Sequence, residues 1–177
     1  FENYFEWDKY NWSKSASFFE KYSKKKLMNS VILELGSRTG MLGYSASLCG
    51  AKVTLSDLKE KLDPVVKKKI DKREIKFKYL NAIDFKENIK YDIIIAKSLL
   101  GGLKTKENQL KCINCVYKNL KVDGEFWLME NLNSTIIHRL LRYLFVPWSK
   151  NWRYLKPREL EYFFREFKTV KIESRGI

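Results

Sequence analysis

Short, nearly unbroken apolar runs alternate along this chain with longer stretches in which apolar residues recur every three or four positions. VILELG (31–36) has too few polar positions to leave one face in water, so it predicts a strand covered on both faces. KVTLSDL (52–58), IKFKYLNA (75–82), YDIIIAKS (91–98) and GEFWLMEN (124–131) predict four more strands, and KTVKIESRGI (168–177) a sixth or most of one. The helical periodicity falls near 14–25, over TGMLGYSASLCG (39–50) with Gly50 as its stop, and over roughly 105–120. It returns in STIIHRLLRYLF (134–145) and PRELEYFFREF (157–167), while DPVVKKKI (63–70) offers Asp63 as N-cap and Pro64 at the first helical position. Strands separated by helices imply crossover connections, hence a doubly wound, mainly parallel α/β sheet of six strands flanked by helices. No internal repeat or low-complexity linker interrupts the pattern. The expected organisation is one domain over 31–177, preceded by an aromatic lead-in over 1–30 carrying Trp7, Tyr10 and Trp12. Aromatics that dense need something to cover, and the lead-in is expected to act as a lid. In doubly wound sheets ligands bind beyond the carboxyl ends of the strands.

Composition narrows the class. The 177 residues are 45% hydrophobic, enough for a real core, and no run reaches the roughly 18 apolar residues that span a bilayer. The chain begins at Phe1 with no visible leader, which predicts a piece of a longer protein. Three cysteines suit a reducing compartment, and a cytoplasmic location is expected. Cys112 and Cys115 have metal-ligand spacing, but with no second pair and one histidine they read as small residues on one helix face. No metal is expected. The formal charge of +14 permits nucleic acid, an anionic surface or an acidic substrate. It is what 27 lysines and eight arginines leave against 21 acidic residues, the lysines spread along the whole chain, so nucleic acid is not the favoured partner.

LELGSRTGMLG (33–43) is the candidate site. A glycine loop between strand and helix usually cradles phosphate, yet Glu34 brings a negative charge. A dinucleotide fingerprint would have a second glycine where Arg38 stands, and no G-K-[ST] follows, so neither a dinucleotide loop nor a P-loop fits. An acid beside the loop suits a cationic ligand instead.

These features together resemble the class I S-adenosylmethionine-dependent methyltransferases, over essentially all residues from about 31. ELGSRTGMLG matches that family's E-x-G-x-x-x-G-x-x-G loop, with Arg38 departing from its usual small residue. The resemblance implies S-adenosylmethionine as cofactor, held by Glu34, Gly36, Ser37, Arg38 and Gly40. Asp57, with Leu58 beside it, would accept from the ribose hydroxyls; Asn81, Ala82, Ile83 and Asp84 would frame the adenine. Lys97 and Ser98 would face cofactor or substrate. The family generally has seven strands, which makes the expected sheet six to seven, the last being absent or beyond Ile177.

The acceptor is less legible. A hydroxyl acceptor must lose a proton, and Glu130 and His138 are the candidate catalytic residues. Six arginines from Arg139 onward suit a carboxylate or phosphate, and Trp148, Trp152 and Tyr154 would suit stacking on a sugar face. The tail as a whole resembles those of bacterial small-molecule methyltransferases, which implies a small-molecule acceptor, anionic or a sugar. The tail is similar to those of polysaccharide and O-antigen cluster methyltransferases, which implies O-methylation of a sugar. The alternatives are a macromolecular acceptor (protein lysine or RNA) and a basic membrane-surface module, for which IIHRLLRYLFVPW (136–148) could lie on anionic lipid. The [ND]-P-P-[YF] motif of N-methylating nucleic-acid enzymes and the fourth-strand signature of protein-lysine enzymes are both missing from IIIAKSLLGG. Oligomeric state is not addressed by any of these features.

Overall fold

The computed structural model describes residues 9–58, 64–70, 73–133 and 135–174. Helix α1 (Lys9–Tyr22) leads into β1 (Val31–Leu35), α2 (Met41–Leu48), β2 (Lys52–Asp57), α3 (Pro64–Ile70) and β3 (Lys76–Tyr79). Then follow β4 (Tyr91–Lys97), α4 (Lys106–Asn119), β5 (Leu120–Met129), α5 (Ile136–Phe145) and the four-residue α6 (Leu160–Phe163). The strands form one parallel sheet in the order β3-β2-β1-β4-β5. The order reverses between β1 and β4, where Ile32 pairs with Ile93 and Leu35 with Ala96. A crevice therefore opens beyond Leu35 and Lys97.

Burial follows the two-residue period of the strands. Ile32, Val53, Leu55, Ile93 and Ile95 face α1 and α2, meeting Trp12, Ala16, Phe19, Leu42 and Ala46. Leu33, Leu35, Ile94 and Ala96 face the other way onto Cys112, Ile113 and Val116 of α4, with Leu155, Phe163 and Phe164 beyond. Both faces are covered, which is why these strands read as apolar runs rather than alternations. Phe19 stacks on Trp127 with ring centroids 4.9 Å apart, fixing the lead-in helix to the sheet. Trp12 is core as well. Trp7 and Asp63 lie outside the described residues, and Pro64 opens α3 as expected.

Two expectations need correction. The sheet has five strands rather than six to seven, and described residues 168–174 run without a ladder partner. Val170 and Ile172 are the segment's apolar residues and both stay exposed, so pairing would bury little in return for ordering it. The periodic stretch 157–167 also forms less helix than its pattern predicts: a 3-10 turn at Pro157–Glu159 and then α6. Phe163 and Phe164 are successive residues that are both buried, which one side of a long surface helix cannot provide.

Candidate active site in the crevice between the first and fourth strands

The loop from β1 to α2 takes the left-handed region three times, at Gly36 (φ 62°), Arg38 (φ 47°) and Gly40 (φ 63°). Arg38 is the costly one, because its Cβ crowds the backbone in a conformation glycine adopts freely. Several bonds hold it there. The Ser37 N–H donates to the Ser56 carbonyl at 2.8 Å, and the Arg38 N–H donates to Oδ2 of Asp57 at 2.9 Å. Asp57 thus pins the loop from the end of the neighbouring strand. It is half-buried, and Leu58 beside it is 55% exposed at the crevice mouth.

Glu34 answers for its own charge. Its Oε2 accepts the Gly43 N–H at 2.7 Å, one of the donors in the first turn of α2 that has no intrahelical partner. The carboxylate is 4% exposed. Gly43 makes the contact possible: a Cβ there would stand 2.4 Å from Leu55 Cδ2 and 2.8 Å from Glu34 Oε2. Burial pushes the Glu34 carboxyl up to about 8, against the Gly43 N–H and the Lys97 charge, which lower it, and Asp57, which raises it further. A carboxyl raised from 4.5 to about 8 binds its proton more tightly in the folded state. Folding then takes up a proton between those values, so the cost is absent below 4.5, grows as pH rises and is complete above about 8. Glu34→Gln keeps an acceptor for Gly43 and removes the charge. Its melting temperature relative to the parent protein is expected to climb from pH 5 to pH 8.5 by an amount equivalent to roughly 2–4 kcal/mol. A constant difference across that range would contradict the buried charge.

At the carboxyl end of β4 the Lys97 ammonium sits 4.6 Å above the Trp12 ring, so the N-terminal end of α1 borders the crevice. Ser98 adopts a positive φ of 51°, with its N–H on the Met129 carbonyl at 2.8 Å. The hydroxyls of Ser37 and Ser98 are buried and have no hydrogen-bond partner among the described residues. Beyond β3, Asn81 and Asp84 are exposed and Ile83 half-buried, whereas Ala82 belongs to the core. Asn81 Oδ1 accepts the Ile83 N–H at 3.3 Å and its carbonyl accepts the Asp84 N–H at 3.1 Å, which shapes this loop into a turn.

Glu130 stands at the end of β5 but turns onto backbone. Its Oε2 accepts the N–H groups of Leu100 (2.7 Å) and Gly101 (3.4 Å), and its Oε1 accepts that of Asn131 at 3.0 Å. Burial pushes its carboxyl up to about 7, with those backbone donors pulling the other way. His138 is carried on α5; its side chain lies outside the described residues. Arg142 and Arg153 of the tail are engaged separately. Arg142 lies 4.4 Å over the Tyr154 ring and donates to the Leu132 carbonyl, while Arg153 pairs with Glu159 at 2.6 Å and bonds Gln109. Trp152 packs against Gly101, and the Trp148 side chain lies outside the described residues.

The residue that sequence reasoning missed most plainly is Gln109. It is wholly buried on α4 and donates to the Leu100 and Arg153 carbonyls, both at 2.9 Å, tying the loop after β4 to the chain beyond α5. The consecutive glycines after that strand were the available signal for such close packing.

A family model described as lysine methyltransferase matches residues 8–125 of the chain. The chain belongs to this family, within the class I S-adenosylmethionine-dependent methyltransferases. No curated protein matches it in sequence. Solved methyltransferase structures share its fold. A Bacillus halodurans C-125 protein solved as a methyltransferase candidate superposes with a TM-score of 0.71 at 16% identity, covering 87% of this chain and 68% of that one. Magnesium protoporphyrin IX methyltransferase from Synechocystis PCC 6803, with S-adenosylhomocysteine bound, gives 0.64 at 16% identity, with 87% and 69% covered. The glycopeptide N-methyltransferase MtfA, in complex with S-adenosylmethionine, gives 0.56 at 15%, with 69% and 55% covered. The chain thus spans little more than half the length of the last of these.

The site accords with that membership. In this lysine-methyltransferase relative, the Asp57 carboxylate, the two orphaned serine hydroxyls and the exposed Asn81 are polar groups gathered at the carboxyl ends of β1 to β4. They suit a ligand rich in hydroxyl and amino groups, as the cofactor of this class is. Among the described residues no helix is long and apolar enough to cross a membrane.

Proposed function

We propose that the chain binds S-adenosylmethionine across the β1–β4 crevice and methylates an amine nitrogen, with a lysine side chain as the first acceptor to test. When bound, this cofactor supplies an electrophilic methyl group on sulfur. Asp57 would hold its ribose, the backbone of Gly36 to Gly40 would line its amino-acid portion with Ser37 and Ser98, and Asn81 and Asp84 would meet its adenine. Holding nucleophile and methyl group in line is most of what such an enzyme must do.

The observation that carries the choice of acceptor is what the carboxyl groups of Glu34 and Glu130 are doing. Glu34 and Glu130 are both bonded to backbone N–H groups and organise loops. A hydroxyl needs a base in the site as it attacks, whereas an amine can give up its proton to water beforehand. Glu130 is then a positioning residue for the loop after β4. The family match to lysine methyltransferases points the same way. O-methylation of a sugar would place the demand for a base on His138.

The experiment is methyl transfer from labelled S-adenosylmethionine to lysine-containing peptides, amino sugars and neutral sugars, with His138→Ala beside the parent protein. Transfer to nitrogen that survives His138→Ala within about threefold is expected, since loss of a general base typically costs 10²–10⁴-fold. Transfer confined to sugar hydroxyls and abolished by His138→Ala would overturn the amine reading.

A further inference from the structure

Helix α5 is mounted with its apolar side outward. At about 3.6 residues per turn, Ile136, Ile137, Leu140, Leu141, Leu144 and Phe145 share one half of its surface, and Arg139, Arg142 and Tyr143 fall on the other. A surface helix ordinarily buries the first set. Here Ile136 is 81% exposed, Leu144 60% and Phe145 75%, and the other three are exposed too. The polar half is the one anchored. Arg142 donates to the Leu132 carbonyl at 3.1 Å and stacks on Tyr154, and its own carbonyl accepts the Ser149 hydroxyl at 2.9 Å. Among the described residues, the element that packs extensively on α5 is the 3-10 segment Pro147–Asn151.

We infer that this outward face is a docking surface for an anionic lipid bilayer. Two observations favour lipid over a second copy of the chain. A ten-residue helix is about 15 Å long, and one face of it falls short of the ~800 Å² per partner that a stable protein interface buries. The chain also carries +14, so two copies repel while an anionic surface attracts. Exposed Arg139 flanks the apolar half, and Lys150 beside it has its ammonium 5.1 Å from the Tyr143 ring. A short helix with one apolar half and basic flanks lies in the interfacial plane of a bilayer rather than across it. Because α5 follows the carboxyl end of β5, docking brings the crevice side of the sheet toward the lipid. The inference rests on α5 and is independent of which acceptor the crevice serves.

Flotation with phosphatidylcholine vesicles, with and without phosphatidylserine, tests it on the full chain. Binding to the phosphatidylserine vesicles is expected, weakening as salt is raised. Leu140→Ser with Leu144→Ser, both exposed and so neutral to folding, should lower that affinity at least about tenfold, since each leucine loses its place in the apolar layer. The melting temperature of this variant should match the parent protein's. Binding that is equal in the variant would mean a basic surface acting without α5, and would overturn the inference. So would absence of vesicle binding together with a dimer, seen by sedimentation equilibrium, that the double variant dissociates.

Discussion

Gly101→Ala is expected to lower the melting temperature by roughly 6–12 °C. A Cβ at Gly101 would fall 1.7 Å from Nε1 of Trp152, 2.2 Å from Cε2 and 2.4 Å from Cδ1. An indole ring cannot bend away as the tip of a flexible side chain can. Either the ring leaves its seat or the loop after β4 shifts, and overpacking of this kind costs about 1–3 kcal/mol or more. At 2–4 °C per kcal/mol for a chain of this size, about 3 kcal/mol gives the stated range. The shift would also drag the Gly101 carbonyl, which accepts the Arg153 N–H at 2.9 Å, and the N–H groups bonded to Glu130. The double variant Gly101→Ala with Trp152→Ala should be less destabilised than the sum of the single ones by more than 1 kcal/mol, because the clash disappears with the ring. Thermal melts of the four proteins measure this. Additive effects would show that the glycine is not there for the tryptophan.

Asp57→Asn is expected to weaken S-adenosylhomocysteine binding by about tenfold to a hundredfold while leaving the melting temperature of the unliganded protein within about a degree. Hydrogen bonds to a charged group contribute about 1.5–3 kcal/mol each, and each 1.4 kcal/mol is tenfold in affinity. The structural role of Asp57 survives the substitution, since an amide oxygen still accepts the Arg38 N–H. What is lost is the charge, which the proposed role offers to ribose hydroxyls. Stability that falls while affinity stays would assign Asp57 to the loop alone.

Much of this arrangement is legible in the chain, and what is not has identifiable causes. The central strands show because β1 and β4 are buried on both faces, which leaves VILEL and YDIIIAK almost without polar interruptions. The glycine loop and Asp57 show because both sit at strand ends, where the pattern breaks. The destination of the Glu34 charge does not show. It depends on Gly43 approaching from the next helix, nine residues on, through a space that only a missing Cβ leaves open. Glu130 was legible as an acid at a strand end, but its bonds to Leu100 and Gly101 join residues 30 and 29 positions apart. The arginine-rich tail is where composition misleads. Arg142 and Arg153 are engaged by Tyr154, Glu159 and Gln109, so they are parts of the fold rather than a single anion site. The amphipathic pattern of α5 was plain in sequence. Its orientation was not, because the arginine side is held by partners in a different segment.

Calorimetric titration of the unmodified chain with S-adenosylhomocysteine, and separately with NAD, tests the central claim most directly. The two ligands share an adenosine and differ in what adjoins it: a zwitterionic amino-acid chain in one case, a pyrophosphate in the other. Arg38, held at φ 47° by a bond from its N–H to Asp57, stands where the dinucleotide fingerprint has the glycine that lets a pyrophosphate approach the backbone. Single-site binding of S-adenosylhomocysteine with no measurable heat from NAD is the result the crevice predicts; binding of NAD without binding of S-adenosylhomocysteine would contradict it.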